Sequence, residues 1–244
     1  MKKLNLSDLR AQRLYLENDD YGIAPDEEYV PVGAISEGSW SAITLLPDTV
    51  ALMTTDAFTN AIETMQAMAH AWLQIWESVP DNKPLRVQVL AAHECFEGGI
   101  FSAIHGWYRL AGVAIRNAID DILVGLYYQH QKHLYAEFEE VTTGKRKSPG
   151  RGKVDAQLLR YAPKALVDDI NALYTDEMSI YVHRMSDGEL WEGSNGPVYV
   201  HSQMNTWIGQ YERAFRLLCK LIEAVQPGSG VSAIADKIQF KLSL

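Results

Sequence analysis

Side chains able to do chemistry concentrate in two places in this sequence. From Gly99 to Gln131, His105, Arg109, Gly112, Arg116 and Asp120 recur at three- and four-residue spacing, with Ser102 above them and Tyr127 below. On a helix that spacing puts them on one face. The second place is the stretch Tyr181–Tyr199, YVHRMSDGELWEGSNGPVY, which gathers Tyr181, His183, Arg184 and Asn195 among turn residues. Arginine grips an anion with parallel N–H donors, histidine moves a proton near neutral pH, and aspartate accepts donors. His105, Arg109, Asp120, Tyr181, Arg184 and Asn195 are therefore the candidate binding residues.

The stripe has two readings. As a water-facing surface it holds an ordinary Arg116–Asp120 pair one turn apart, worth roughly 0.3–0.5 kcal/mol. As a polar groove or a dimer seam it uses Gly112, because a glycine inside a helix is unfavourable by about 1 kcal/mol and often permits close approach. A closed two-fold dimer is the commonest way to use such a seam, and a homodimer is expected.

The elements that must position these residues read as helices. Thr55–Ser78 is periodic, with Thr55 or Asp56 as cap and Pro80 as stop. The segment Gly99–Gln131 is apolar around most of its circumference. It is expected to be one nearly continuous central helix, a rod of roughly 50 Å at 1.5 Å per residue. Residues 85–92, LRVQVLAA, fit a short strand or a helix lead-in. Asp155–Leu173, interrupted by Pro163, Tyr174–Arg184 and Gln203–Val225 read as further helices, the last stopped by Pro227-Gly228. The fold class predicted is all-α, a helical bundle around one long central helix. Its divisions are an N-terminal arm over residues 1–54, a bundle over 55–226 and a tail over 227–244.

Composition limits the function classes. Hydrophobic residues make up 47%, enough for a sizeable core. A net charge of −9 argues against broad duplex binding. Cys95 and Cys219 match no zinc spacing and imply no disulfide framework. The start MKKLNLSDLRAQRLYLEN lacks the apolar core of a secretory signal, and no apolar run is long enough for a membrane span. A cytoplasmic setting with no membrane partner is expected. Nucleophilic catalysis finds little support, since Cys95 and His93 are too close in sequence to face each other on a helix. His130 and His133 share a face, but with Glu137 and Glu139 they form no recognised zinc pattern, so no metal and no cofactor are expected. The basic stretch Gly144–Lys153, GKRKSPGRGK, reads as a solvated loop or as an electrostatic footprint for RNA or an acidic partner.

Three pieces of sequence carry a family resemblance. Arg116-Asn117-Ala118-Ile119 runs on to Ile122. Leu173-Tyr174 is followed by Ser179 and by Tyr181-Val182-His183. Leu190-Trp191-Glu192-Gly193-Ser194-Asn195-Gly196-Pro197-Val198-Tyr199 then closes the set. Across roughly Gly99–Val225 the chain resembles the HEPN-like helical domains of bacteria (higher eukaryotes and prokaryotes nucleotide-binding). The resemblance implies a helical bundle that commonly dimerises. Many such proteins are metal-independent ribonucleases of toxin or phage-defence systems, while others bind nucleotides or scaffold partners. In the nucleolytic ones an arginine grips phosphate and a histidine four to six residues later takes the 2′-hydroxyl proton. Here Met178, Glu177 and Asp176 stand at the matching place before His183, and an acid there repels phosphate. Arg86 and His93 have the right spacing. Arg116 with His183 is the pair that could act from different helices, and His183 bonded to Ser179 inside the core is the plainer reading. Trp191 and Tyr199 read as packing residues, and the EGSNGP run as turn geometry that could present N–H groups to an anion. The leading expectation is a binding or regulatory module of a defence or toxin-type system, taking a nucleotide, RNA or a protein. A divergent metal-independent ribonuclease and a structural homodimer subunit are the alternatives.

Overall fold

A computed structural model describes residues 46–80, 83–182 and 199–238. The protein is all-α, a helical bundle, with no strand among the described residues. The helices are α1 (Leu46–Ser78), α2 (Pro84–Ile104), α3 (Tyr108–Gln129), α4 (Tyr135–Thr142), α5 (Arg151–Leu158), α6 (Lys164–Ala172), α7 (Ser179–Val182), α8 (His201–Val225) and α9 (Val231–Lys237). None of the described helices is long and apolar enough to cross a membrane.

The expected continuous helix from Gly99 to Gln131 does not exist. It is broken after Ile104, and α2 and α3 fold back on each other as a tightly packed hairpin. The break is a Schellman-type stop. Gly106 has φ 76°, its N–H donates to Ala103 O at 3.0 Å, and the Trp107 N–H donates to Ser102 O at 2.8 Å. A side chain at that φ would be strained, so glycine is required. Apolarity around the whole circumference thus reflects two helices covering each other, not one enclosed rod. Residues 85–92 belong to α2, with no strand.

The longest helical segment is α1 instead, 33 residues interrupted by one kink. It begins nine residues before the expected Thr55 cap. The hydroxyls of Thr54, Thr59 and Thr64 turn back onto the carbonyls of Val50, Thr55 and Asn60, so this threonine run stays inside the helix. Such back-bonding bends helices, and the backbone kinks at Phe58 (φ −127°, ψ 24°). Pro163 separates α5 from α6, as its missing N–H demands.

α1, α2 and α8 meet in an aromatic core. Trp72 stacks on Phe96 at 5.4 Å between centroids, and Phe215 and Tyr211 pack edge-on against Trp72 and Phe96. The Tyr211 hydroxyl donates to Met65 O at 3.2 Å. Val231 and Ala235 of α9 are buried in the same core, so packing continues past residue 226.

Candidate ligand site under Tyr174

The polar stripe survives the break from Arg109 onward. It faces the segment Leu173–Val182, which enters α7 through a π-type turn whose Met178 N–H donates to Leu173 O at 2.9 Å. A wider turn of this kind inserts an extra residue and re-aims side chains, a feature common at functional sites. Here it brings Tyr174, Ser179 and Tyr181 to α3. Arg109 Nε donates to Tyr181 O at 3.1 Å. Arg116 Nη1 donates to Ser179 Oγ at 3.2 Å, and its guanidinium lies over the Tyr174 ring at 4.2 Å. The Tyr174 hydroxyl donates to Asp120 Oδ2 at 2.8 Å.

Arg151, the first residue of α5, completes the cluster. Its guanidinium lies over the same Tyr174 ring at 4.7 Å. Arg151 Nε donates to Asp155 Oδ1 at 3.1 Å and to Asn171 Oδ1 at 2.9 Å, with Nη2 also on Asn171. Asn171 Nδ2 closes the ring by donating to Asp155 Oδ2 at 3.1 Å. Two arginines and Asp120 thus meet one phenol, through cation–π contacts and a hydrogen bond, while Asp155 and Asn171 hold Arg151 in place.

This cluster forms one wall of a cavity of about 240 Å³ lined by Asp120, Leu123, Val124, Ser148, Pro149, Arg151, Val154 and Tyr174. Burial pushes the Asp120 carboxyl above the usual carboxylate range, against the opposing pull of the Tyr174 hydrogen bond and the Arg151 and Arg116 charges. Burial and the neighbouring Asp120 likewise raise the Tyr174 phenol. The arrangement offers a half-buried acceptor, a hydroxyl and a cation over an apolar floor. It contains no activated nucleophile.

Gly112 does not form a dimer seam. Tyr181 of the same chain fills its face: a Cβ on Gly112 would lie 2.2 Å from Tyr181 Cγ. The Tyr181 ring is buried, and its hydroxyl donates to Gln210 Oε1 at 2.8 Å. In place of an ordinary Arg116–Asp120 pair, half-buried Arg116 and Asp120 are engaged by the segment lying over them, while Arg109 stays exposed. His105 is not part of the site. The break places it in the hairpin turn, its Nδ1 2.8 Å from Phe101 O and its ring 4.2 Å from the Phe101 ring. His183, Arg184 and Asn195 lie outside the described residues.

The other sequence candidates have structural tasks. Arg86 Nη1 donates to Trp76 O at 3.0 Å and Val79 O at 2.6 Å, and its guanidinium covers the Trp76 ring at 3.9 Å. It caps the C-terminus of α1, which has no basic residue of its own in its last turn. His93 Nδ1 lies 2.9 Å from Ala69 O. The Arg86/His93 spacing therefore serves α1–α2 packing. His130 Nε2 lies 3.0 Å from Val225 O, and its ring stacks on Tyr161. Among the described residues no group of three His, Cys, Asp or Glu side chains could hold a metal. Burial, then Asp121 at 3.8 Å from its sulfur, pushes the Cys95 thiol up to about 11, so it is a poor nucleophile.

Tyr174, Arg151, Asp155, Asn171 and Ser148 were not legible as site residues. Arg151 stood in a basic run read as loop, and Tyr174 at the start of a plain helical pattern. The one available hint was Arg116–Asp120 on an otherwise apolar helix, which demands a polar partner. The chain matches no family model, no curated protein and no solved structure.

Proposed function

We propose that this protein is a cytoplasmic ligand-binding and regulatory helical module of a bacterial defence or toxin-type system, and that its ligand is a nucleotide held in the cavity under Tyr174. One observation carries the reading: the cavity joins the half-buried Asp120 acceptor to the basic stretch 144–153 through Ser148, Pro149 and Arg151. At about 240 Å³ it is smaller than pockets for drug-sized ligands, ~300 Å³ and above, and suits a base-sized head. A base with adjacent N–H donors, as in guanine, matches the free lone pairs of a carboxylate already holding one hydroxyl. The phosphate end then lies toward Lys145, Arg146 and Lys147, which are exposed. Binding is favoured over cleavage because Arg116, the phosphate grip of the ribonuclease reading, is hydrogen-bonded to Ser179 and stacked over Tyr174.

Titration calorimetry of the full chain with GMP, GDP and AMP tests this. A guanine nucleotide is expected to bind in the micromolar range, and Asp120→Asn to weaken it about tenfold, ~1.4 kcal/mol. No heat with any nucleotide at millimolar concentration sinks the reading. RNA incubated with the protein in EDTA is expected to stay intact. Cleavage that disappears in Arg116→Ala would transfer the site to the ribonuclease reading.

A further inference from the structure

The outward face of α2 is unlike that of an ordinary surface helix. Its buried side, through Leu85, Val89, Phe96 and Ile100, packs into the core. The opposite side carries three exposed apolar side chains beside two acids. Val87 is 52% exposed, Leu90 37% and Phe101 65%, and Glu94, Glu97 and Gly98 complete the same exposed stripe. At 100° per residue all six lie within a narrow arc, and from Val87 to Phe101 the stripe runs about 21 Å. Three apolar side chains of this size along one exposed stripe are more than scattered single residues.

Gly98 is an independent observation. It sits inside a helix, exposed, with nothing within 4 Å of where a Cβ would be. A glycine there is unfavourable relative to alanine, and no contact within the described residues requires it. A gap between Glu94 and Phe101 on an apolar ridge is what an incoming helix needs for close approach.

Charge selects the occupant. Glu94 and Glu97 are the stripe's ionic groups, and His93 Nε2 reaches Glu97 Oε2 from the buried side at 3.5 Å. Arg86 and His93, the basic side chains of α2, are turned inward to the α1 carbonyls. Asp121 of α3 adds a further acid on the flank, bonded by Cys95. Glu94 raises both the Cys95 thiol and the Asp121 carboxyl, behind the larger effect of burial. A second copy packed about a two-fold axis would set these acids against their own copies.

We propose that the Val87–Leu90–Glu94–Gly98–Phe101 face of α2 is a docking surface for a basic amphipathic helix of a partner protein. The partner's apolar side chains at three- and four-residue spacing lie along Val87, Leu90 and Phe101, one enters the gap at Gly98, and a Lys or Arg meets Glu94. The surface is on the other arm of the hairpin from the Tyr174 cavity and does not depend on the ligand there.

The test uses the full chain and a fluorescein-labelled 14-residue Leu/Lys peptide of helical amphipathic pattern, read by anisotropy at 0.15 M salt. Micromolar binding is expected. Leu90→Ser with Phe101→Ser, or Glu94→Lys alone, is expected to weaken it at least tenfold. Leu159→Ser, an exposed apolar change just past the end of α5, is expected to leave it unchanged. These side chains are exposed, so unaltered circular dichroism is expected in every variant. The proposal is overturned if the face variants bind like the parent, or if a Leu/Glu peptide binds equally well. Sedimentation showing a dimer that Phe101→Ser dissolves would give the face to a second copy. Slow maleimide labelling of Val87→Cys in the monomer would show it covered by the chain itself. Either result also overturns the proposal.

Discussion

Glu223 and Arg216, two turns apart on α8, hold opposite ends of α9. Glu223 Oε1 accepts the Gly228 N–H at 2.8 Å, and Oε2 accepts the Ser229 hydroxyl at 2.8 Å. Arg216 Nη2 donates to Ile238 O at 3.1 Å, while its Nε donates to Glu212 at 2.8 Å. A carboxylate at the N-terminus and a guanidinium at the C-terminus match the helix dipole. Glu223→Ala and Arg216→Ala are each expected to lower stability by about 1–2 kcal/mol in urea unfolding. The double variant should lose less than the sum, because the first loss already frays the seven-residue helix. Additive losses would show that the two residues do not act on one element. Slight burial tends to raise the Glu223 carboxyl, but the hydrogen bonds from Ser229, Gly228, Ser232 and Val231 outweigh it and hold it below its usual value. Its contribution is present above the unfolded value and is lost as pH falls through the folded one.

Gly112→Ala should be among the costlier single-methyl changes in the chain. The new Cβ would meet the Tyr181 ring at 2.2–2.6 Å, and that residue is tied by its hydroxyl to Gln210 and by its backbone carbonyl to Arg109. Overpacking of this kind costs about 1–3 kcal/mol. Tyr181→Ala in the Gly112→Ala background should recover part of the loss, giving a coupling well outside error in a double-mutant cycle. A loss below about 0.5 kcal/mol would mean the ring leaves at little cost and does not seat the segment on α3.

Asp121 predicts the acid limb of the stability curve. Burial, then the adjacent Asp120 charge, pushes its carboxyl up to about 6, with Glu94 adding and Cys95 opposing. A raised carboxyl binds its proton more tightly when folded, so its contribution is favourable at low pH and is lost as pH rises from about 4 through about 6. Melting temperatures of Asp121→Asn should lack this decline and exceed the parent at pH 7. A parallel offset at every pH from 3 to 8 would show that Asp121 does not titrate as the geometry requires.

Periodicity alone indicated an all-α chain and placed two major helices close to where they lie. The Gln203–Val225 pattern begins two residues inside α8, and Pro227-Gly228 ends it as expected. The Thr55–Ser78 pattern ends where α1 ends, ahead of Pro80. These features depend on residues within a turn or two of each other, where helical spacing, proline and glycine act directly. The Arg109–Asp120 stripe was visible for the same reason, as a polar line on an apolar helix.

Position in the chain could not reveal what covers that stripe. Tyr174 reaches Asp120 across 54 residues, Ser179 reaches Arg116 across 63 and Tyr181 reaches Arg109 across 72. Such partnerships arise only after the hairpin at Gly106 folds α2 onto α3 and the π turn aims the segment back. The hairpin itself was hidden because a buried rod and two mutually covered helices show the same apolar circumference. Local residue order therefore determined which stretches coil and which faces are polar. The tertiary structure alone decided that Gly112 is a seat for Tyr181, and that Arg151 leaves a basic run to join Arg116 over one phenol. These contacts follow from packing of the whole chain, where burial makes each polar group take the partner within reach.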